Sequence, residues 1–135
     1  MYHQVAPIAP SAYFRYTVTP AAFARQMRML VALGYRAMPL AGLLAARTAG
    51  MPLPHRTVVI TFDDGFADAV RYATPVLVRH GLTATFFVVT GLLGKTSEWT
   101  RQRRGIEMPL ADVPALRDIA AAGFVYESVG RPQGE

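Results

Sequence analysis

The chain has no cysteine among its 135 residues, which excludes disulfides and thiolate metal sites. Any metal must therefore be held by Asp, Glu or His. Long hydrophobic runs are also missing, and no apolar stretch approaches the roughly 18 residues of a membrane span. The opening residues Met1-Tyr2-His3-Gln4-Val5 lack a basic segment followed by an apolar one. No signal peptide is expected on that ground, and the expected compartment is the cytoplasm unless an N-terminal part has been lost. Low-complexity tracts and internal repeats are absent. Lysine is nearly so: Lys95 stands alone, in a stretch that reads as a loop.

What is present is a folded chain of one domain, because 52% of the residues are hydrophobic and the length suits one core. The net charge is +5 and comes almost wholly from arginine. An arginine-rich solvated surface accounts for that balance. One tight cluster, Arg101, Arg103 and Arg104 beside Trp99, raises the alternative of an anionic polymer. No nucleic-acid motif accompanies it, so no nucleic-acid partner is expected.

Strand-like and helix-like pieces alternate, the pattern of an α/β fold with parallel strands. Residues 1–5 read as a strand end and are followed by a Pro-rich loop through Pro7 and Pro10. Thr19-Pro20 reads as an N-cap with proline at the first helical position. Phe23, Met27, Leu30 and Val31 then give one apolar helical face, ended by Gly34. Residues 35–39 predict a short strand, 40–48 a short helix and 50–55 a linker. The run 57–62 predicts a continuous central strand. Residues 66–80 predict a helix with Val70, Ala73 and Leu77 inward, kinked or restarted at Pro75. A buried strand is expected over 82–90 and a long loop over 91–109. Residues 112–122 predict a helix with Val113, Leu116, Ile119 and Ala120 inward, and a strand starts at Phe124-Val125-Tyr126. The tail 130–135 is polar.

The most informative motif is Thr61-Phe62-Asp63-Asp64-Gly65, directly after Thr57-Val58-Val59-Ile60. Adjacent carboxylates repel, and that cost is tolerated where a cation or proton is bound. A helix cap needs only one carboxylate and no apolar strand to deliver it. In parallel α/β folds catalytic groups collect at the C-terminal ends of strands. One carboxylate of such a pair can ligate a metal while the other takes a proton from water. A receiver-type phosphoacceptor domain also pairs acids at a strand end, but it needs a strand-end lysine that this chain lacks.

The order and spacing of several segments resemble the polysaccharide deacetylase family, the NodB homology domain of carbohydrate esterases. Besides the acidic motif, these are Met1-Tyr2-His3, Thr19-Pro20-Ala21-Ala22-Phe23 and Leu33-Gly34-Tyr35. Tyr72-Ala73-Thr74-Pro75-Val76-Leu77, Ala84-Thr85-Phe86-Phe87-Val88 and Ala121-Ala122-Gly123-Phe124 complete the set. The resemblance runs from Met1 to about Phe124. It implies a distorted (β/α) barrel, here partial and truncated before closure, with residues 1–135 as the N-terminal part of the domain. It also implies metal-dependent hydrolysis of N-acetyl groups on a polysaccharide such as peptidoglycan, chitin or poly-N-acetylglucosamine.

By that resemblance Asp63 is the general base and Asp64 a ligand to a divalent metal, zinc above all. The family's remaining ligands are two histidines in Ser-His-x-x-x-His, and this chain has no such motif. Glu127 and Arg131 fall at the two histidine positions. Glu127 can ligate a cation, whereas Arg131 stays protonated and has no free lone pair. Deacetylation is therefore expected to be impaired. The alternative is a catalytically dead remnant or a weak glycan-binding module. His3 and Trp99 are candidate substrate contacts. His55 and His80 read as structural, and Phe86 and Phe87 as core. An incomplete barrel also leaves open sheet edges, so self-association is expected.

Overall fold

A computed structural model describes residues 1–130. Every strand pairing in it is parallel. β1 (Gln4–Val5) pairs β2 (Thr17–Val18), and Tyr2 bridges to Phe62. The helix α1 (Pro20–Ala32) follows β2, with the Thr19 hydroxyl accepting the Ala22 amide at 3.2 Å as its N-cap. Phe23 and Met27 are fully buried, while Val31 is 43% exposed. Eight residues beyond Phe23 the helix has rotated about 80° off the buried face, which removes Val31 from the expected stripe.

The predicted strand at 35–39 contracts to β3 (Arg36–Ala37), and α2 (Leu40–Thr48) has the expected bounds. The expected single strand over 57–62 is divided into β4 (Thr57–Val58) and β5 (Thr61–Phe62). The division marks a change of partner. β4 pairs β3, whereas β5 pairs β6 (Thr85–Val89). Between them the Ile60 carbonyl still accepts the Thr85 amide at 2.9 Å.

The helix α3 (Ala67–Arg79) runs through Pro75 without the expected restart. Pro75 and Arg71, whose carbonyl loses its amide donor to the proline ring, are both exposed, so water can take the vacant acceptor. The expected long loop after β6 contains the helix α4 (Glu98–Arg104). Its entry is fixed by buried Ser97, whose Oγ accepts the Met108 amide at 3.0 Å, and by Thr100, which donates to the Ile106 carbonyl at 2.7 Å. The bridges Thr96↔Pro109 and Phe66↔Leu110 fasten the rest. Asp112 caps α5 (Val113–Ala121) through the Ala115 amide at 2.9 Å. Leu116 and Ile119 are buried as expected, but Val113 and Ala120 are exposed.

β7 (Val125–Val129) pairs β6 over five positions and closes the sheet order β5-β6-β7. The fold is mixed α/β, and among the described residues no pairing joins β7 back to β2 or β3, so no closed barrel is formed. The core is built on aromatic rings. Phe62 stacks on Phe86 at 4.6 Å, and Tyr2 lies edge-on to Phe23 at 5.0 Å. Phe87 departs from the expectation: it is half-buried, on the face of β6 opposite Phe86.

Candidate active site

The β5 ladder sets the direction of the acidic pair. The Asp63 amide donates to the Tyr2 carbonyl at 2.9 Å, continuing the parallel bridge one residue past Phe62. The chain then turns through Asp64 (φ 72°) and Gly65 (φ 68°). Aspartate is among the few residues that enter the left-handed region readily. At Gly65 a side chain would be strained by the positive φ and crowded, since a Cβ there would lie 3.1 Å from the Val88 backbone. The Gly65 carbonyl accepts the Ala111 amide at 2.8 Å, which ties the turn to the segment before α5.

Asp63 and Asp64 open onto two cavities. One, of about 370 Å³, lies at the C-terminal ends of β5, β6 and β7 and is lined by both carboxylates, Phe87 and Val129. The other, of about 320 Å³, brings Asp64 together with His3, Tyr13, Tyr16 and Trp99. Asp64 alone of the acidic pair reaches both. Trp99 stands on α4 rather than in an irregular loop, with its ring 6.3 Å from that of Phe66.

Burial raises the pKa of Asp64 above the ordinary carboxylate value. The His3 charge and the Tyr13 hydrogen bond oppose that rise, and the Asp63 charge adds to it. The Tyr13 hydroxyl donates to Asp64 Oδ2 at 3.3 Å. Burial, and then the neighbouring Asp64 charge, push the Tyr13 pKa upward, so the phenol keeps its proton and remains a donor.

Among the described residues no group of three or more His, Asp or Glu could hold an ion. A catalytic zinc takes three protein ligands, so the described donors do not fit a resident zinc on their own. Glu127 lies in β7 opposite Phe87 and does not join the acidic pair in a donor cluster. Arg131 lies outside the described residues. His80 caps the C-terminal end of α3, and His55 is exposed in a turn.

Tyr13 and Tyr16 line the Asp64 cavity although no catalytic motif marks them, and Arg103 and Arg104 join them from the arginine cluster. The two tyrosines belong to a 3₁₀ turn over Ser11–Tyr16 that falls where a Pro-rich loop was expected. Side chains three apart eclipse in such a turn, and the two rings lie 4.9 Å apart. The Tyr-x-x-Tyr spacing was a legible signal.

Residues 50–128 match the polysaccharide deacetylase family. YxkH of Bacillus subtilis (strain 168), named as a polysaccharide deacetylase, is 30% identical over 73 residues, or 54% of this chain and 22% of that protein. The structure of IcaB from Ammonifex degensii superposes with a TM-score of 0.75 at 28% identity, over 94% of this chain and 49% of that one. The Streptococcus pyogenes deacetylase PplD, solved in complex with acetate, gives a TM-score of 0.76 at 22% identity, over 100% of this chain and 58% of that one. The chain thus spans about half the length of these solved relatives and less of the curated one.

Proposed function

This chain belongs to the polysaccharide deacetylase family, and on that premise we propose that it carries the acidic half of a site for hydrolysing N-acetyl groups on a glycan. The supporting observation is the Asp63–Asp64 pair, held at the C-terminal end of β5 and open to two cavities. Asp63 accepts a proton from the attacking water as general base while the water oxygen bonds to the acetyl carbon. The amide C–N bond then breaks and the proton held by Asp63 passes to the leaving nitrogen, giving acetate and a free amine on the sugar. Asp64 would offer one carboxylate to a divalent cation, zinc above all, as a single ligand of the set such an ion needs. The cation's chemistry would be to polarise the acetyl carbonyl and acidify water. With the described donors short of a three-ligand set, hydrolysis by this chain is impaired. His3 and Trp99 contact the substrate from the Asp64 cavity.

Acetate release and binding are measured together. Trp99 is the only tryptophan, so its fluorescence reports on the cavity directly. Chitobiose is expected to perturb that fluorescence saturably. Acetate release with added zinc is expected to equal that of the Asp63→Asn, Asp64→Asn double variant. No fluorescence response overturns the glycan reading, and release above the double variant overturns the impairment.

A further inference from the structure

We propose that the Asp64 cavity selects N-acetylated saccharides bearing a carboxylate substituent, read by Arg104 with Arg103; this rests on the glycan reading above. The arginines come from the C-terminal end of α4 and line the same cavity as Asp64. Arg104 is held in place before any ligand arrives. Its Nη1 donates to the Ala12 carbonyl at 3.0 Å, and its Nη2 to the Tyr16 hydroxyl at 3.2 Å. Its guanidinium lies 4.8 Å over the Tyr16 ring and 5.7 Å over that of Tyr13. A guanidinium has five N–H donors, so these bonds leave several uncommitted.

Among the described residues neither arginine has a carboxylate partner; the ion pair found joins Arg101, on the same helix, to Glu107 beyond the helix end, at 3.1 Å. Arg103 and Arg104 therefore bring positive charge to the cavity wall, and the uncommitted N–H groups of Arg104 suit a planar carboxylate. Tyr13 connects the two ends of the site: its ring lies beneath Arg104 and its hydroxyl reaches Asp64. Trp99 and Tyr16 add aromatic rings to the same cavity. A sugar ring packed against Trp99 can set its acetamido group toward Asp64 and a carboxylate toward the arginines. A neutral amino sugar satisfies only the first.

The test compares two disaccharides that differ in one lactyl carboxylate. Chitobiose and N-acetylglucosaminyl-N-acetylmuramic acid are titrated against the full chain by Trp99 fluorescence. The acidic disaccharide is expected to bind about tenfold more tightly, the scale of one charge-assisted contact. The preference is expected to collapse in Arg103→Ala, Arg104→Gln and also in Arg104→Lys, which keeps the charge but loses the fork. It is expected to persist in Arg101→Ala, which removes a charge from the same helix but not from the cavity. Far-UV CD of each variant is expected to match the parent, and Arg104→Lys, the milder change, carries the test if the double variant unfolds. Equal affinity for the two disaccharides overturns the proposal while leaving the glycan reading intact. So does an equal loss in Arg101→Ala, which would mark general polyanion attraction. Binding of neither disaccharide overturns both readings.

Discussion

Tyr13 donates its hydroxyl to Asp64 Oδ2 at 3.3 Å across 51 positions of sequence. The bond ties the 3₁₀ turn near the N-terminus to the acidic turn after β5. It is also one of two influences that counter the burial of the Asp64 carboxylate. Replacing Tyr13 by Phe removes a donor to the charged form, so the Asp64 pKa is expected to rise further. Carboxylate carbon shifts of Asp64, followed by NMR through a pH titration, check the direction. The associated loss of stability at neutral pH is expected to be about 1 kcal/mol, and smaller in acid, where the carboxyl is protonated.

The raised pKa of Asp64 has a stability consequence of definite sign. Between the ordinary carboxylate pKa and the raised one, the folded chain binds more protons than the unfolded chain. Stability therefore falls as pH rises through that window, and the ionised carboxylate costs the fold at neutral pH. Asp64→Asn is expected to raise the Tm at pH 7 by a few degrees. The gain should shrink as the pH falls to the unfolded carboxylate value. A gain that is constant with pH would instead reflect asparagine's ease in the left-handed region. Thermal melts at a series of pH values separate the two.

Much of the scaffold for this site was legible in the sequence, because it depends on local signals. Thr19-Pro20 marks the start of α1, and the alternation of strand-like and helix-like segments marks a parallel α/β fold. The Asp-Asp-Gly turn after an apolar run marks where the carboxylates emerge. The misreadings share a cause. α4 has Trp99 as its only large apolar residue, so no apolar period announces it, and buried hydrogen bonds from Ser97 and Thr100 fix its position instead. The run 57–62 looks uniform, although its two halves serve different partners. Arg103 and Arg104 read as solvated charge along the chain. Only the fold brings them to the same cavity as Asp64.

Gly65 is expected to tolerate a side chain poorly. Its φ is 68°, and an added Cβ would meet Val88 Cα at 3.1 Å, a backbone contact that cannot rotate away. Gly65→Ala is expected to cost about 2 kcal/mol or more from the left-handed backbone and the close approach together. Urea unfolding with an unchanged m-value would measure it. Because the same turn aims Asp64, the variant is also expected to weaken any ligand response at Trp99.

The edge of β7 carries the last prediction. The Val125 amide donates to the Ala84 carbonyl, toward β6, at 3.3 Å. By strand alternation the Glu127 and Val129 amides also face inward, while those of Tyr126 and Ser128 point to the edge with no strand pairing them among the described residues. Tyr126 is also 45% exposed, so the edge offers both backbone donors and an aromatic face. Such edges template pairing with a second chain. Sedimentation is expected to show concentration-dependent self-association, with binding of a hydrophobic dye. Tyr126→Pro removes an edge-facing donor without costing a ladder bond to β6, so it should reduce association while preserving the far-UV spectrum. A parent chain that stays monomeric at high concentration and melts cooperatively without binding dye would show that this edge is already protected.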